Sequence, residues 1–229
     1  MPTEAEDNCL KAIYQLAGDG TRATTAALAD LLSIAPASVT GMLKKLSHAD
    51  PPWIDYQKHH GALLTSHGRT RALEIIRHHR LIELFLHRIL GYRWDEVHSE
   101  AEKLEHAISE TFEDRIAAVL GDPDFDPHGH PIPRKDGTLP RRVDTGLVDL
   151  EPGDEALVSR VSDHDPEMLQ YLASIGVGPG VRLRVLERSP FDGPLMLQIG
   201  KDPTVRAFGM RLASAIRVRE VGEEDTCPS

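Results

Sequence analysis

Imidazole and carboxylate side chains recur at helical spacing in the middle of the chain. His98, Glu102, Glu105 and His106 are spaced by four, three and one residues. At about 100° per residue they fall within an arc of roughly 100°, so one helix face would carry all four. His79 and Glu83, four residues apart, share a face of the preceding segment. Two antiparallel helices joined at Gly91 would bring the two sets together, which is a recurrent way to hold metal ions in helical bundles. The competing reading is a solvated face on which acids and imidazoles pair with arginines. Residue types and spacing leave both open.

A second candidate is the segment Asp126-Pro127-His128-Gly129-His130, an oxygen and one or two imidazoles in a stiff, proline-bounded loop. Such a loop loses little entropy on closing around an ion, although acids and histidines in loops are often merely exposed. Asp163 and Asp165, with His164 between them, follow an expected strand and can supply a further carboxylate or serve as turn residues. Oxygen and nitrogen donors without sulfur suit hard divalent ions.

The third candidate is a short helix expected to begin at Pro36. Pro36, Ala37, Ser38, Thr40 and Gly41 place small and hydroxyl side chains at its start, and Lys44 and Lys45 follow one turn later. Small residues allow close approach to a major groove, while hydroxyls and lysines reach phosphates or base edges. Lys58, His59 and His60 would sit at the tip of a neighbouring hairpin. The alternative is an amphipathic helix with ordinary surface lysines.

Catalytic readings find less support. The chain has no G-x-S-x-G elbow, no P-loop, no H-E-x-x-H and no G-x-G-x-x-G between a strand and a helix. Cys9 lies in an apolar helical pattern with no activating partner nearby in sequence.

The elements that must position these groups fall into three regions, giving a mainly α protein with small β parts. Region 1–72 reads as three helices, over 4–16, 26–32 and from 36 onward, with Thr24 and Thr25 available as caps and Gly18 and Gly20 ending the first. Two short strands, 53–57 and 62–65, follow as a hairpin, making a winged helix-turn-helix. Region 73–146 holds the rest of a helix expected over 66–90 with Ser66 as its cap, a second helix over 94–121, and a proline- and glycine-rich linker. The apolar stripe of its second helix could be core or a dimer seam, and its His/Glu faces could bind metal. Region 147–229 reads as strands over 155–162, 181–188, 195–199 and 216–221 around a helix at 166–175, resembling an SH3-like barrel, with a frayed tail from 223.

Of the 229 residues, 40% are hydrophobic and 27% charged, which excludes a disordered chain. The net charge is −10, yet residues 1–72 balance seven Lys/Arg against seven Asp/Glu. The acidity lies in the rest of the chain, so a nucleic-acid role is compatible with it. No apolar run approaches the ~18 residues of a membrane span. With two cysteines and an acidic start, a cytoplasmic protein without a membrane partner is expected.

Several stretches in order resemble the diphtheria toxin repressor family of metal-dependent transcriptional regulators. "LKAIYQL" resembles its first helix, "LADLLSIAPASVTGMLKKL" its helix-turn-helix and "LLTSHGR" the end of its wing. "RHHRLIELFL" and "VHSEAEKLEH" resemble its ligand-bearing helices. "DPHGHPIP" resembles its linker, and "LASIGVGPGVRLRV" the start of its SH3-like, FeoA-type domain. The likeness is greatest to the manganese-responsive branch that keeps the third domain.

The resemblance implies a homodimer on double-stranded operator DNA, not an enzyme, controlling metal homeostasis by repressing uptake or activating export. One metal site would use His79, Glu83 and His98, joined by groups such as Asp126, His128 and Asp163. The other would use Glu102, Glu105 and His106 with a group from the first helix. Asn8 stands where manganese-responsive members carry an aspartate, with Asp7 beside it. Iron-responsive members place sulfur where Glu102 stands, so Mn(II) is the expected ion, with Fe(II) or another divalent ion as alternative. Two other readings remain: a metal-dependent hydrolase built on the His/Glu cluster, and a winged-helix regulator that answers to an organic ligand.

Overall fold

The computed structural model describes residues 2–17 and 20–222, so Gly18 and the tail from 223 lie outside the described residues. In chain order the elements are α1 (Glu4–Leu16), α2 (Thr25–Leu32), α3 (Pro36–Ser47), β1 (Ile54–Gln57), β2 (Gly61–Leu64), α4 (Ser66–Arg88), α5 (Val97–Leu104) and α6 (Glu110–Leu120). Then follow β3 (Thr145–Gly146), β4 (Glu155–Val161), α7 (Pro166–Ser174), β5 (Arg182–Arg188), β6 (Leu195–Ile199), β7 (Val205–Phe208), α8 (Met210–Ser214) and β8 (Ile216–Glu220). The chain folds as two compact units. The first comprises residues 1–79, 103–113 and 133–139; the second comprises 80–102, 114–132 and 140–229.

The first unit is built on the winged helix-turn-helix. Apolar residues one turn apart on α1, α2 and α3 (Leu10, Ile13, Leu28, Val39, Leu43 and Leu46) are buried together with Ile54 and Ala62 from the hairpin. Each large aliphatic side chain removed from water there contributes roughly 1.5–3 kcal/mol. Thr24, rather than Thr25, caps α2: its hydroxyl accepts from the Ala27 amide at 3.1 Å. The chain bends by 111° between α2 and α3, within the range of helix-turn-helix units. Strands β1 and β2 pair antiparallel, and Ala23 adds two backbone bonds to Ala62 at 2.9 Å. Gly61 permits this: its φ is +100°, and a Cβ there would lie 2.4 Å from the Ala23 carbonyl oxygen. Thr65 performs the capping expected of Ser66, accepting from the Gly68 amide at 3.1 Å.

The single helix expected over 94–121 is two helices. Helix α5 ends at Leu104, and α6 begins at Glu110 with the Ser109 hydroxyl accepting from the Phe112 amide at 3.3 Å. Within the first unit, His78 Nδ1 lies 3.1 Å from the Glu105 carbonyl oxygen and His78 Nε2 lies 3.1 Å from Glu113 Oε2. Arg77 bonds the Glu113 carboxylate and donates to the Pro133 carbonyl at 2.9 Å. These side chains bind the Glu105 carbonyl just past the end of α5 and a first-turn acid of α6, and the chain turns between the two.

The second unit centres on a six-stranded antiparallel sheet of order β3-β8-β4-β5-β6-β7. Its core gathers Leu147, Val158, Leu169, Leu172, Leu183, Leu195, Leu197, Phe208 and Ile216. Helix α7 sits in this unit, capped by Asp165, whose Oδ1 accepts from the Met168 amide at 3.1 Å. Strands β3 and β7 and helix α8 were absent from the expectation. They have two, four and five residues, too short for a periodic pattern to emerge. No single helix among the described residues is long and apolar enough to cross a membrane.

Candidate metal centre and nucleic-acid interface

In the second unit the linker loop is organised by one carboxylate. Asp126 Oδ1 accepts from the amides of His128 at 2.8 Å and His130 at 2.9 Å, an Asx-type arrangement. Gly129 lies between them at φ +88°, and a Cβ there would meet the Ser159 carbonyl oxygen at 2.1 Å. The loop therefore rests against β4, where the Val161 amide donates to the His128 carbonyl at 2.9 Å. Arg142 fastens it from the other side, donating to the carbonyls of Gly129 at 2.5 Å and Ser159 at 2.7 Å.

This packing collects ligand-type atoms. His98 Nδ1 stands 3.1 Å from Glu83 Oε1 and 3.9 Å from Asp163 Oδ2. His128 Nδ1 is 3.8 Å from Glu83 Oε2. His130 Nδ1 is 3.4 Å from Asp126 Oδ2 and 3.6 Å from Asp163 Oδ2. One donor atom from each of Glu83, His128 and Asp163 lies within 4.8 Å of the others, as does one from each of Asp126, His128 and His130. Donors held about 2.0–2.6 Å from one hard cation are themselves roughly 3–5 Å apart. Asp126 Oδ2, His128 Nδ1 and His130 Nδ1 are buried and make no hydrogen bond. Buried polar atoms are nearly always satisfied, and a divalent cation would satisfy these lone pairs together.

The electrostatics agree. Burial disfavours a charged His128, yet the Glu83 carboxylate, with Asp126 and Asp163, outweighs that and lifts its pKa to about 9. Burial likewise raises Asp163, but His130 and His98 hold it below the ordinary aspartate value. The carboxylates favour positive charge here, which a proton on His128 can supply.

The second expected site lies differently. Contrary to the expected single face, Glu105 and His106 follow the end of α5 and do not continue the helix face of His98 and Glu102, because the helix breaks at Glu105. Glu102 itself is exposed, its carboxylate 3.6 Å from His98 Nε2. In the first unit His106 Nε2 stands 3.0 Å from Asn8 Oδ1 and 3.2 Å from Glu105 Oε1, and its Nδ1 is 3.8 Å from Asp7 Oδ2. Glu105 binds Lys11 Nζ at 2.6 Å and His79 Nδ1 at 2.5 Å. Burial pushes its carboxyl upward, and His79 and Lys11 overcome that to hold it below the usual range. Asp7 is clasped by Arg71 through bonds of 2.9 and 2.6 Å.

Two of these neighbours, His130 and Lys11, were outside the expected ligand list. Alternation through the tight loop (126, 128, 130) was the signal for His130. Lys11 lies one helical turn beyond Asp7 and Asn8, on the same face. Asp165, the alternative carboxylate, is the α7 cap and pairs with Arg211 at 2.9 Å. Cys9 is buried and its thiol is pushed up to about 12, mainly by burial, so it is unreactive.

At the winged helix, Pro36, Ala37, Ser38, Gly41 and Lys44 are exposed along α3, and Thr40 is half-buried with its hydroxyl on the Pro36 carbonyl at 2.9 Å. Lys58 is exposed beside the hairpin tip. Lys45 is partly engaged elsewhere: its ammonium lies 2.7 Å from Glu6.

Comparison with known proteins accounts for nearly the whole chain. Residues 1–62 match the model "Iron dependent repressor, N-terminal DNA binding domain", 65–134 "Iron dependent repressor, metal binding and dimerisation domain", and 145–220 the FeoA domain. The iron-dependent repressor IdeR of Mycobacterium tuberculosis is 30% identical over 224 residues, covering 93% of this chain and 95% of that one. The HTH-type transcriptional regulator MntR of Oceanobacillus iheyensis is 34% identical over 120 residues, 52% of this chain and 80% of that one. A solved manganese-dependent transcriptional repressor in complex with manganese superposes with a TM-score of 0.87 at 39% identity, covering 94% of this chain and all of that one (100%). With its winged helix-turn-helix, its imidazole–carboxylate cluster and this agreement along its length, the chain belongs to the iron-dependent repressor family of metal-dependent transcriptional regulators, the diphtheria toxin repressor family that its motifs resemble.

Proposed function

We propose that the chain is a cytoplasmic, homodimeric Mn(II)-responsive regulator that grips operator DNA when Glu83, His98, Asp126, His128 and Asp163 hold a divalent ion, with His130 beside them. The observation that carries this reading is the set of buried donor atoms, Asp126 Oδ2, His128 Nδ1 and His130 Nδ1, that make no hydrogen bond. The ion would supply compensating positive charge where three carboxylates converge. Oxygen and imidazole donors without sulfur favour Mn(II) over softer ions, with Fe(II) next. The likeness to a manganese-complexed repressor supports the same choice.

In this reading residues 1–72 form the DNA-reading head, 73–146 the metal-binding and dimerisation region and 147–229 the SH3-like domain. Pro36, Ala37, Ser38, Thr40 and Gly41 approach the groove, and Lys44, Lys45 and Lys58 meet phosphate. Exposed apolar side chains at Ile89, Leu90 and Val119 supply part of a dimer seam. Metal favours the DNA-binding state by binding it more tightly than the other. Controlling uptake or export of the ion that is sensed is the corresponding physiological task.

The test uses a duplex selected from fragmented genomic DNA by the Mn(II)-loaded protein. Its affinity, followed by fluorescence anisotropy, is expected to fall about tenfold or more on chelation. Glu83→Gln is expected to bind weakly with or without Mn(II). Equal affinity under every condition rejects metal control.

A further inference from the structure

We propose that the cation at Asn8, Glu105 and His106 is the chain's own Lys11 ammonium, so that each protomer takes up one divalent ion, at the Glu83 centre, rather than two. This rests on the reading of the Glu83 centre given above.

Lys11 Nζ lies 2.6 Å from Glu105 Oε1, with the lysine side chain 13% exposed and the glutamate 1%. The second oxygen of Glu105 is 2.5 Å from His79 Nδ1, so both oxygens are engaged. Asp7, the other carboxylate nearby, is held by both arms of the Arg71 guanidinium. Two carboxylates are thus already matched by two permanent cations. Position 8 offers an amide oxygen without charge, and it is taken by His106 Nε2 at 3.0 Å. Among the described residues, no group of three or more acid or imidazole donor atoms within 4.8 Å of one another includes Glu105 or His106.

An ammonium is a compact point charge with three donors on a flexible stem, and it repels a divalent ion a few ångströms away. The spacing within α1 makes the substitution possible: Lys11 follows Asn8 by three residues and Asp7 by four, so its stem rises along the face that carries both. The tie between α1 and Glu105 is therefore present without metal. In this proposal the ion is bound by residues of the second unit, and the link between α1 and Glu105 does not need it.

Ion counting by equilibrium dialysis of the full chain against Mn(II), with metal analysis, tests this. The wild type is expected to retain one ion per protomer, Glu105→Gln to retain the same number as wild type, and Lys11→Glu to gain one over its parent. Loss of an ion in Glu105→Gln, or no gain in Lys11→Glu, overturns the proposal. Glu83→Gln serves the other reading: if it keeps the wild-type count, the Glu83 centre fails while the Lys11 result stands by itself. Should either variant fold poorly by circular dichroism, a manganese-edge anomalous map of the wild type decides. A Lys11–Glu105 pair with no peak beside it supports the proposal, and a peak bonded to Glu105 overturns it.

Discussion

The Nε2–H of His128 donates to the Trp94 carbonyl oxygen at 2.7 Å, and this bond determines which ring nitrogen faces Glu83. A histidine that gives one nitrogen to a backbone carbonyl presents the lone pair of the other, here Nδ1, to whatever lies opposite. The ring is fully buried and packs 5.5 Å from the Trp94 indole, centroid to centroid, so its orientation is set before any ion arrives.

A pH dependence follows. In the metal-free protein His128 titrates near 9, above its ordinary 6.5. Its proton stabilises the metal-free fold fully below about pH 6.5, and that contribution is lost as the pH rises through about 9. The ion competes with the same proton, so Mn(II) affinity should rise steadily with pH below about pH 9 and level above it. Indicator-competition titrations under argon check this; affinity that does not change over that range contradicts it.

Removing a ligand charge should be more damaging than removing its support. Glu83→Gln keeps the shape but deletes one anionic donor, and Mn(II) affinity is expected to drop by more than the 10–100-fold typical of a supporting residue. Asp163→Asn should behave in the same direction. Isothermal titration calorimetry gives both numbers, and unchanged affinity in either variant removes that residue from the site.

The loop should fail through its backbone as well. Gly129→Ala places a methyl against the Ser159 carbonyl at a φ that alanine avoids. A stability loss of ~1–3 kcal/mol is expected, with weaker Mn(II) binding because His128 and His130 are displaced. Thermal unfolding with and without Mn(II) measures both effects, and a wild-type melting curve and affinity would contradict the assigned close approach.

On the reading head, Lys44→Ala and Lys58→Ala should each weaken DNA binding across sequences and reduce the salt slope by about one. Lys45→Ala should cost less affinity, since its ammonium is shared with Glu6. Anisotropy titrations across a salt series distinguish these cases, and an equal slope change for all three would show that the Glu6 pair does not hold Lys45 back.

Much of this was legible in the residues. Apolar spacing places α1 through α4, and the Asp126–His130 loop carries its chemistry in contiguous sequence. The break at 105–109 was hidden because it depends on His78, Arg77 and Glu113, whose contacts form only on folding. Lys11 was overlooked for the same reason: its meaning comes from a glutamate 94 positions away. Strand β3 has only two residues and pairs with β8 at the far end of the domain, so no local pattern announces it.

The most direct measurement is an anomalous difference map at the manganese edge from crystals grown with Mn(II). The account predicts a peak about 2.0–2.6 Å from donor atoms of Glu83, His98, Asp126, His128 and Asp163. A map with Mn(II) in the crystal and no peak among those five residues would contradict it.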